Sequence, residues 1–340
     1  MRILRRATAL RLQSLIEAIV LGMVSGGGPV FVVVAIGLVS CCAYVYFNVF
    51  IPKTFPADSL TTWGAIAKYT HLLFTVYLLV LIAFQYGMAV LVGPGKTDKD
   101  TESGHSDVPH DSLAHSEHTH DTSVGISEPH ESHRKVCKKC LIPKPERAHH
   151  CRVCKRCVLR MDHHCPWISN CVGYHNHRYF YLFLVYLTIA CVYFVICMAP
   201  IMLRYYWYHQ EVDWGSGGMK HLAAFGFLLA FALIFGVGSL MSWHTYLVLT
   251  GQTTIEYYDN QSKRKLARLR GDVYINEFDL GTIRNARIFF GIGKKFPWYT
   301  ILLPIAVPPL GDGRTYLTSH AFLSSQERRP RWVDDGLELV

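Results

Sequence analysis

The chain has 340 residues, 51% of them apolar and only 17% charged, with a formal net charge of +9. An ordinary soluble domain carries about 25% charged residues, so this composition excludes one. The cation excess points to anionic lipid and phosphate groups, and nucleic acid is not an expected partner for a chain so apolar.

Residues 1–29 hold Arg2, Arg5, Arg6 and Arg11 ahead of an apolar stretch that Glu17 interrupts. An amphipathic segment lying on the cytosolic membrane face is expected, with a signal peptide or a short extra span as alternatives. Gly26, Gly27, Gly28 and Pro29 predict a helix break ahead of the first long apolar run. Four such runs, 30–51, 72–92, 179–202 and 222–249, contain no Asp, Glu, Lys or Arg. Each reaches the roughly 20 residues needed to cross a bilayer.

Lys and Arg set the orientation. The segment 134–160 holds ten basic residues, whereas the loops 52–68 and 203–221 hold two each. Both termini and the cysteine-rich segment are therefore expected in the cytosol. Thiols stay reduced there, so clustered cysteines read as metal ligands or nucleophiles.

Between the second and third runs, 93–134 is polar and histidine-rich and reads as a disordered insert. His115, His118 and His120 resemble the loops of zinc transporters, and metal buffering is the alternative to a plain linker. Residues 135–178 then form a module too small to fold on an apolar core alone. Runs three and four occupy 179–250, followed by a cytosolic tail, 251–340. Within the tail, 296–310 is apolar but broken by prolines, and is expected to rest on the membrane face or on the module. Residues 311–340 read as poorly ordered.

Seven cysteines and four histidines lie within 137–171. Zinc takes four sulfur and imidazole ligands in structural sites, so six cysteines and two histidines complete two sites and one thiol remains. Cys137-x2-Cys140, Cys151-x2-Cys154 and Cys154-x2-Cys157 all have the spacing of a paired-thiolate turn, so spacing leaves the pairing open. In the run Asp162-His163-His164-Cys165-Pro166-Trp167, a carboxylate, an imidazole and a thiol supply the parts of an activated nucleophile. Trp167 is suited to the membrane interface.

The segment 137–179 resembles the cysteine-rich domain of the Asp-His-His-Cys protein S-acyltransferases. The match runs through Cys137-Lys138-Lys139-Cys140, Arg147-Ala148-His149-His150-Cys151, Met161-Asp162-His163-His164-Cys165-Pro166-Trp167 and Asn170-Cys171-Val172-Gly173. Thr253-Thr254-Ile255-Glu256 and Asn276-Glu277-Phe278-Asp279-Leu280-Gly281, with Asn285, match two further family motifs. Gly93-Pro94-Gly95 departs from the family's Asp-Pro-Gly, and the histidine-rich insert is not shared.

The resemblance implies an α-helical polytopic membrane protein, with four transmembrane helices and a cytosolic two-zinc cysteine-rich domain between helices 2 and 3. It implies one zinc on Cys137, Cys140, His150 and Cys157 and another on Cys151, Cys154, His164 and Cys171. Cys165 is then the nucleophile, His163 its base and Asp162 the orienter. Thr254 is expected beside Asp162, with Phe278 and Asn285 packing the tail. The implied donor is palmitoyl-CoA or another long-chain acyl-CoA, with Lys144 and Arg147 as candidate contacts to its phosphates. The acceptors are cytosol-facing proteins with cysteines near the membrane, and the endoplasmic reticulum or Golgi is the expected membrane. A zinc-bearing scaffold without activity is the alternative, and a metal transporter is a third reading.

Overall fold

The computed structural model describes residues 26–59, 61–97, 136–215 and 217–319. The arginine-rich segment 1–25, the insert 98–135 and the end of the tail from 320 lie outside the described residues, with the expectations attached to them.

Four long helices match the four apolar runs: α1 (Gly26–Thr54), α2 (Thr62–Leu91), α3 (His177–Met202, continued as a wider turn to Trp207) and α4 (Gly217–Leu249). Each exceeds its apolar run. At about 1.5 Å per residue, 29 to 33 residues span more than the roughly 30 Å hydrocarbon core, so the ends project into the interface. Helix α1 is already formed at Gly26, which corrects the break expected at 26–29. Pro29 sits in the first described turn of α1. Thr61 caps α2 by accepting the Gly64 N–H at 3.1 Å.

Each span is apolar all round, so packing against neighbouring helices and not amphipathicity decides which faces are buried. Helix α3 lies at the centre against α2 and α4. Two cores stack along it. One, around Leu81, Leu182 and Ile168, lies near the cysteine-rich module; the other, around Val45, Met198 and Ala223, lies at the opposite end.

The module sits on the end of the bundle where α2 finishes and α3 starts. It contains two antiparallel hairpins, β1–β2 (His149–Cys151 with Arg156–Val158) and β3–β4 (His163–Cys165 with Asn170–Val172). Their register places His150 opposite Cys157 and His164 opposite Cys171. Such short strands are marginal by themselves, which makes cross-linking of the hairpins necessary. Asn176 joins module to bundle: its Nδ2 donates to the Cys171, Ala89 and Val92 carbonyls, and its Oδ1 accepts from Gly173 N–H. A Cβ at Gly173 would meet Pro94 O at 2.8 Å, so only glycine fits there.

Gly93–Thr97 belongs to this joint and not to the insert. Leu159 N–H donates to Gly95 O, His175 N–H donates to Pro94 O, and Lys96 bridges Val158. Gly28 packs on Ser169 and the Phe31 ring meets Trp167 edge-on, so the described start of α1 lies on the module's side of the bundle. The tail returns to the same side through α5 (Thr254–Arg270) and α6 (Thr282–Phe290). Residues 296–310 pack mainly on the spans, where Tyr77, Tyr186 and Tyr179 donate to the Leu302, Ile301 and Val307 carbonyls, and meet the module through Tyr174, which donates to Leu310 O.

Candidate active site and metal centres

Strand β3 places three consecutive functional groups by alternation. His163 and Cys165 share one face, and His164 points to the other. This settles a question open in the sequence: His164 turns to a sulfur cluster, while His163 turns toward Asp162.

Two four-ligand groups form. In the first, Nδ1 of His150 lies 3.2 Å from Cys140 Sγ, 3.6 Å from Cys137 Sγ and 3.9 Å from Cys157 Sγ. In the second, Nδ1 of His164 lies 3.4 Å from Cys154 Sγ, 3.5 Å from Cys171 Sγ and 3.8 Å from Cys151 Sγ. Zinc bonds of about 2.3 Å to sulfur and 2.0 Å to nitrogen place tetrahedral ligands about 3.3–3.8 Å apart. The two groups therefore fit such an ion in both donor chemistry and spacing. Burial and the neighbouring Cys137 and Cys140 push the Cys157 thiol up to about 12. A cation is needed to hold all three sulfurs ionised. Each group joins two hairpin-forming segments, and the two sets interleave along the chain.

Cys165 belongs to neither group. It is buried, 6% exposed, and faces a cavity of about 550 Å³ between the spans. The walls near it include His163, Trp167 and Phe180; Tyr46, Thr75 and Tyr193 line the far end. There Tyr46 and Tyr193 share a 3.0 Å hydrogen bond, and His71 Nδ1 joins both hydroxyls. The lining is otherwise almost wholly aliphatic and aromatic, which suits an extended hydrocarbon.

Asp162 is nearly inaccessible and fully engaged. Its Oδ2 accepts from His163 Nδ1 at 2.8 Å and from the Thr254 hydroxyl at 2.9 Å; its Oδ1 accepts from the Thr254 N–H at 2.8 Å. Burial pushes its carboxyl up, but the His163 hydrogen bond and nearby imidazoles hold it well below the usual carboxylate range. Burial pushes His163 down, and Asp162 and Cys165 outweigh that, raising it to about 9. With Nδ1 fixed on Asp162, Nε2 is the nitrogen left for Cys165. Thr254 reaches Asp162 because Thr253 and Glu256 form a reciprocal capping box at the start of α5.

Arg147, a candidate donor contact in the sequence, is held within the fold. Its Nε and Nη2 donate to both Glu256 oxygens at 2.6 Å, and Nη2 also donates to Gly251 O. Its guanidinium is further covered by the Phe278 and Tyr316 rings, at 4.3 and 4.9 Å. A buried guanidinium so occupied is a latch between module and tail. Lys144 remains in an open cleft with Lys138, Lys139 and Arg152 beside the first sulfur group. Phe278 and Asn285 pack the tail: Asn285 Nδ2 donates to Leu249 O and Asp279 Oδ1, and Asn285 Oδ1 accepts from Leu280 N–H.

Three residues join the site that the sequence did not place there. Tyr86 donates to Trp167 O at 2.6 Å and fixes the turn after Cys165. His244 of α4 lies within 4.8 Å of Asp162 and His163. Tyr316 comes from a stretch expected to be poorly ordered. No motif marks Tyr86 or Tyr316; the only sequence signal for His244 is an imidazole in an apolar run.

A family model described as DHHC palmitoyltransferase matches residues 130–261. "Palmitoyltransferase ZDHHC16A" of Danio rerio is 31% identical, covering 85% of this chain and 78% of its own. "Probable protein S-acyltransferase 15" of Arabidopsis thaliana is 33% identical over 73% of this chain and 87% of its own. "Palmitoyltransferase ZDHHC16" of Mus musculus is 31% identical over 85% and 74%.

Proposed function

This chain belongs to the DHHC palmitoyltransferase family and is a multi-pass membrane protein S-acyltransferase, and from that premise we propose that Cys165 carries the acyl group from acyl-CoA to acceptor cysteines. The observation that carries this assignment is a thiol outside both sulfur clusters at the mouth of an apolar cavity of about 550 Å³.

In the first step Cys165, its proton held on His163, attacks the thioester carbonyl of palmitoyl-CoA. The C–S bond to coenzyme A breaks, and the imidazolium of His163 returns a proton to the departing thiolate. His163 is then neutral and takes the proton of an acceptor cysteine. That thiolate attacks the Cys165 thioester and frees Cys165. Asp162 keeps Nδ1 protonated throughout, and Thr254 holds Asp162 still through both of its oxygens.

The membrane position has a thermodynamic purpose. Each methylene moved from water into the cavity contributes about 0.8 kcal/mol. Binding the chain among the spans leaves the thioester at the module face. The open cleft at Lys144 supports a site there for the donor's phosphates. Zinc on the second set would tie β1–β2 to β3–β4 and fix the direction of β3, and zinc on the first would tie the Cys137–Cys140 turn to β1–β2. We assign the module face and both termini to the cytosolic side of the endoplasmic reticulum or Golgi membrane. Acceptors are then proteins whose cysteines lie close to that surface.

A pulse–chase experiment tests the two steps. Protein labelled with radioactive palmitoyl-CoA and freed of donor should pass its label to an acceptor cysteine peptide. Retention of label through the chase, with transfer only when donor is present, counts against a covalent carrier.

A further inference from the structure

A second, smaller cavity of about 80 Å³ lies under the tail, where the module meets the start of α3. Arg147, Arg160, Arg178, His175, His177 and Tyr316 are among its walls, and no Asp or Glu lines it. Arg147 is neutralised by Glu256, but Arg160 and Arg178 have no ion-pair partner among the described residues.

Arg178 is 5% exposed and His177 2% exposed. Arg178 donates through Nε to Phe290 O and through Nη2 to Thr300 O. Its Nη1 and the Nε of Arg160 have no acceptor, and the Nδ1 of His177 has no hydrogen-bond partner, among the described residues. Two guanidinium N–H groups buried on one wall set are costly unless an acceptor, best an anionic one, meets them. Guanidinium forks match tetrahedral oxyanions in geometry as well as charge. On this volume measure one water needs about 10–15 Å³, so 80 Å³ accommodates an oxyanion of five heavy atoms.

We propose that this cavity binds a tetrahedral oxyanion of the phosphate class. The site is separate from the Lys144 cleft and from the cavity at Cys165. Tail residues Val307, Leu310 and Tyr316 close it, so the anion would join module, span and tail at one point. The phosphate can be free in the cytosol or part of the acyl donor.

The test uses the full-length zinc-loaded protein in detergent, exchanged into buffer without phosphate or sulfate. Inorganic phosphate is titrated at constant ionic strength while the melting midpoint is followed. The wild type should show a saturable rise, and Arg178→Gln and Arg160→Gln should weaken the apparent affinity at least about tenfold. Lys220→Ala, in the first turn of α4 at the opposite end of the bundle, should leave the response unchanged. If Arg178→Gln loses its zinc, Arg160→Lys provides the reading: its charge is kept but its fork is lost, and the affinity should still fall. Repeating the titration with saturating coenzyme A separates the sources. Competition identifies the donor's phosphate and additive stabilisation a free one, and either upholds the site. A flat response in the wild type, or the same response in wild type and both arginine variants, overturns it and leaves only water in the cavity.

Discussion

Replacing Glu256 with Gln separates a structural latch from a donor contact. Arg147 holds both Glu256 oxygens at 2.6 Å, with side chains only 6% and 11% exposed. Removing one partner of a pair so desolvated costs about 3–5 kcal/mol, because the other charge stays buried. The melting midpoint of zinc-loaded Glu256→Gln should therefore fall by at least about 6 °C. Arg147→Met should cost a similar amount, and the double variant less than the sum. Burial pushes the Glu256 carboxyl up, but Arg147 outweighs burial and holds it below its ordinary value. The pair thus contributes fully above about pH 4.3, and its contribution fades as pH falls through the lower folded-state pKa. The gap between wild type and Glu256→Gln should be level from about pH 5 to 8 and narrow below about pH 4. Scanning fluorimetry with the KM for palmitoyl-CoA checks all of this. Were Arg147 a phosphate contact, Glu256→Gln would release it, lower the KM and spare the midpoint, and that result would refute the latch.

Thr254→Val removes one hydroxyl donor from Asp162 but keeps the N–H bond to its other oxygen. A charge-assisted hydrogen bond is worth about 1.5–3 kcal/mol, so single-turnover acylation should slow by about tenfold to a hundredfold; an unchanged rate removes Thr254 from the mechanism. Asn285→Ala leaves the Leu280 N–H and Leu249 carbonyl without their partner and should cost about 1–3 kcal/mol. Cleavage of the tail by added protease should accelerate accordingly. Shortening the donor from palmitoyl to myristoyl removes two methylenes, about 1.6 kcal/mol, and should weaken acyl binding about 15-fold. Equal affinity for both donors would show that the chain does not lie between the spans.

The spans were legible because a bilayer imposes length and apolarity directly on sequence: four uncharged runs became four helices. Their ends were less legible, since an interface accepts polar residues, and Gly26–Pro29 joined a helix it was expected to break. The catalytic and ligand residues were legible through their chemistry and the matched motifs. Spacing alone could not apportion two adjacent histidines; the alternation of β3 did so, sending His163 and His164 to opposite faces. The latch role of Arg147 was not legible because its partner Glu256 lies 109 residues away. Tyr316 was missed for the same reason: a ring in a polar stretch gains meaning only from a guanidinium brought to it by the fold.

Intact-protein mass spectrometry after brief exposure to palmitoyl-CoA, paired with zinc analysis, addresses Cys165 most directly. The wild type should gain one hydroxylamine-sensitive palmitoyl group, and Cys165→Ser none, while both hold two zinc ions per chain. A palmitoyl adduct of equal yield on Cys165→Ser, or loss of a zinc ion with that substitution, would contradict the assignment of this thiol as the acyl carrier.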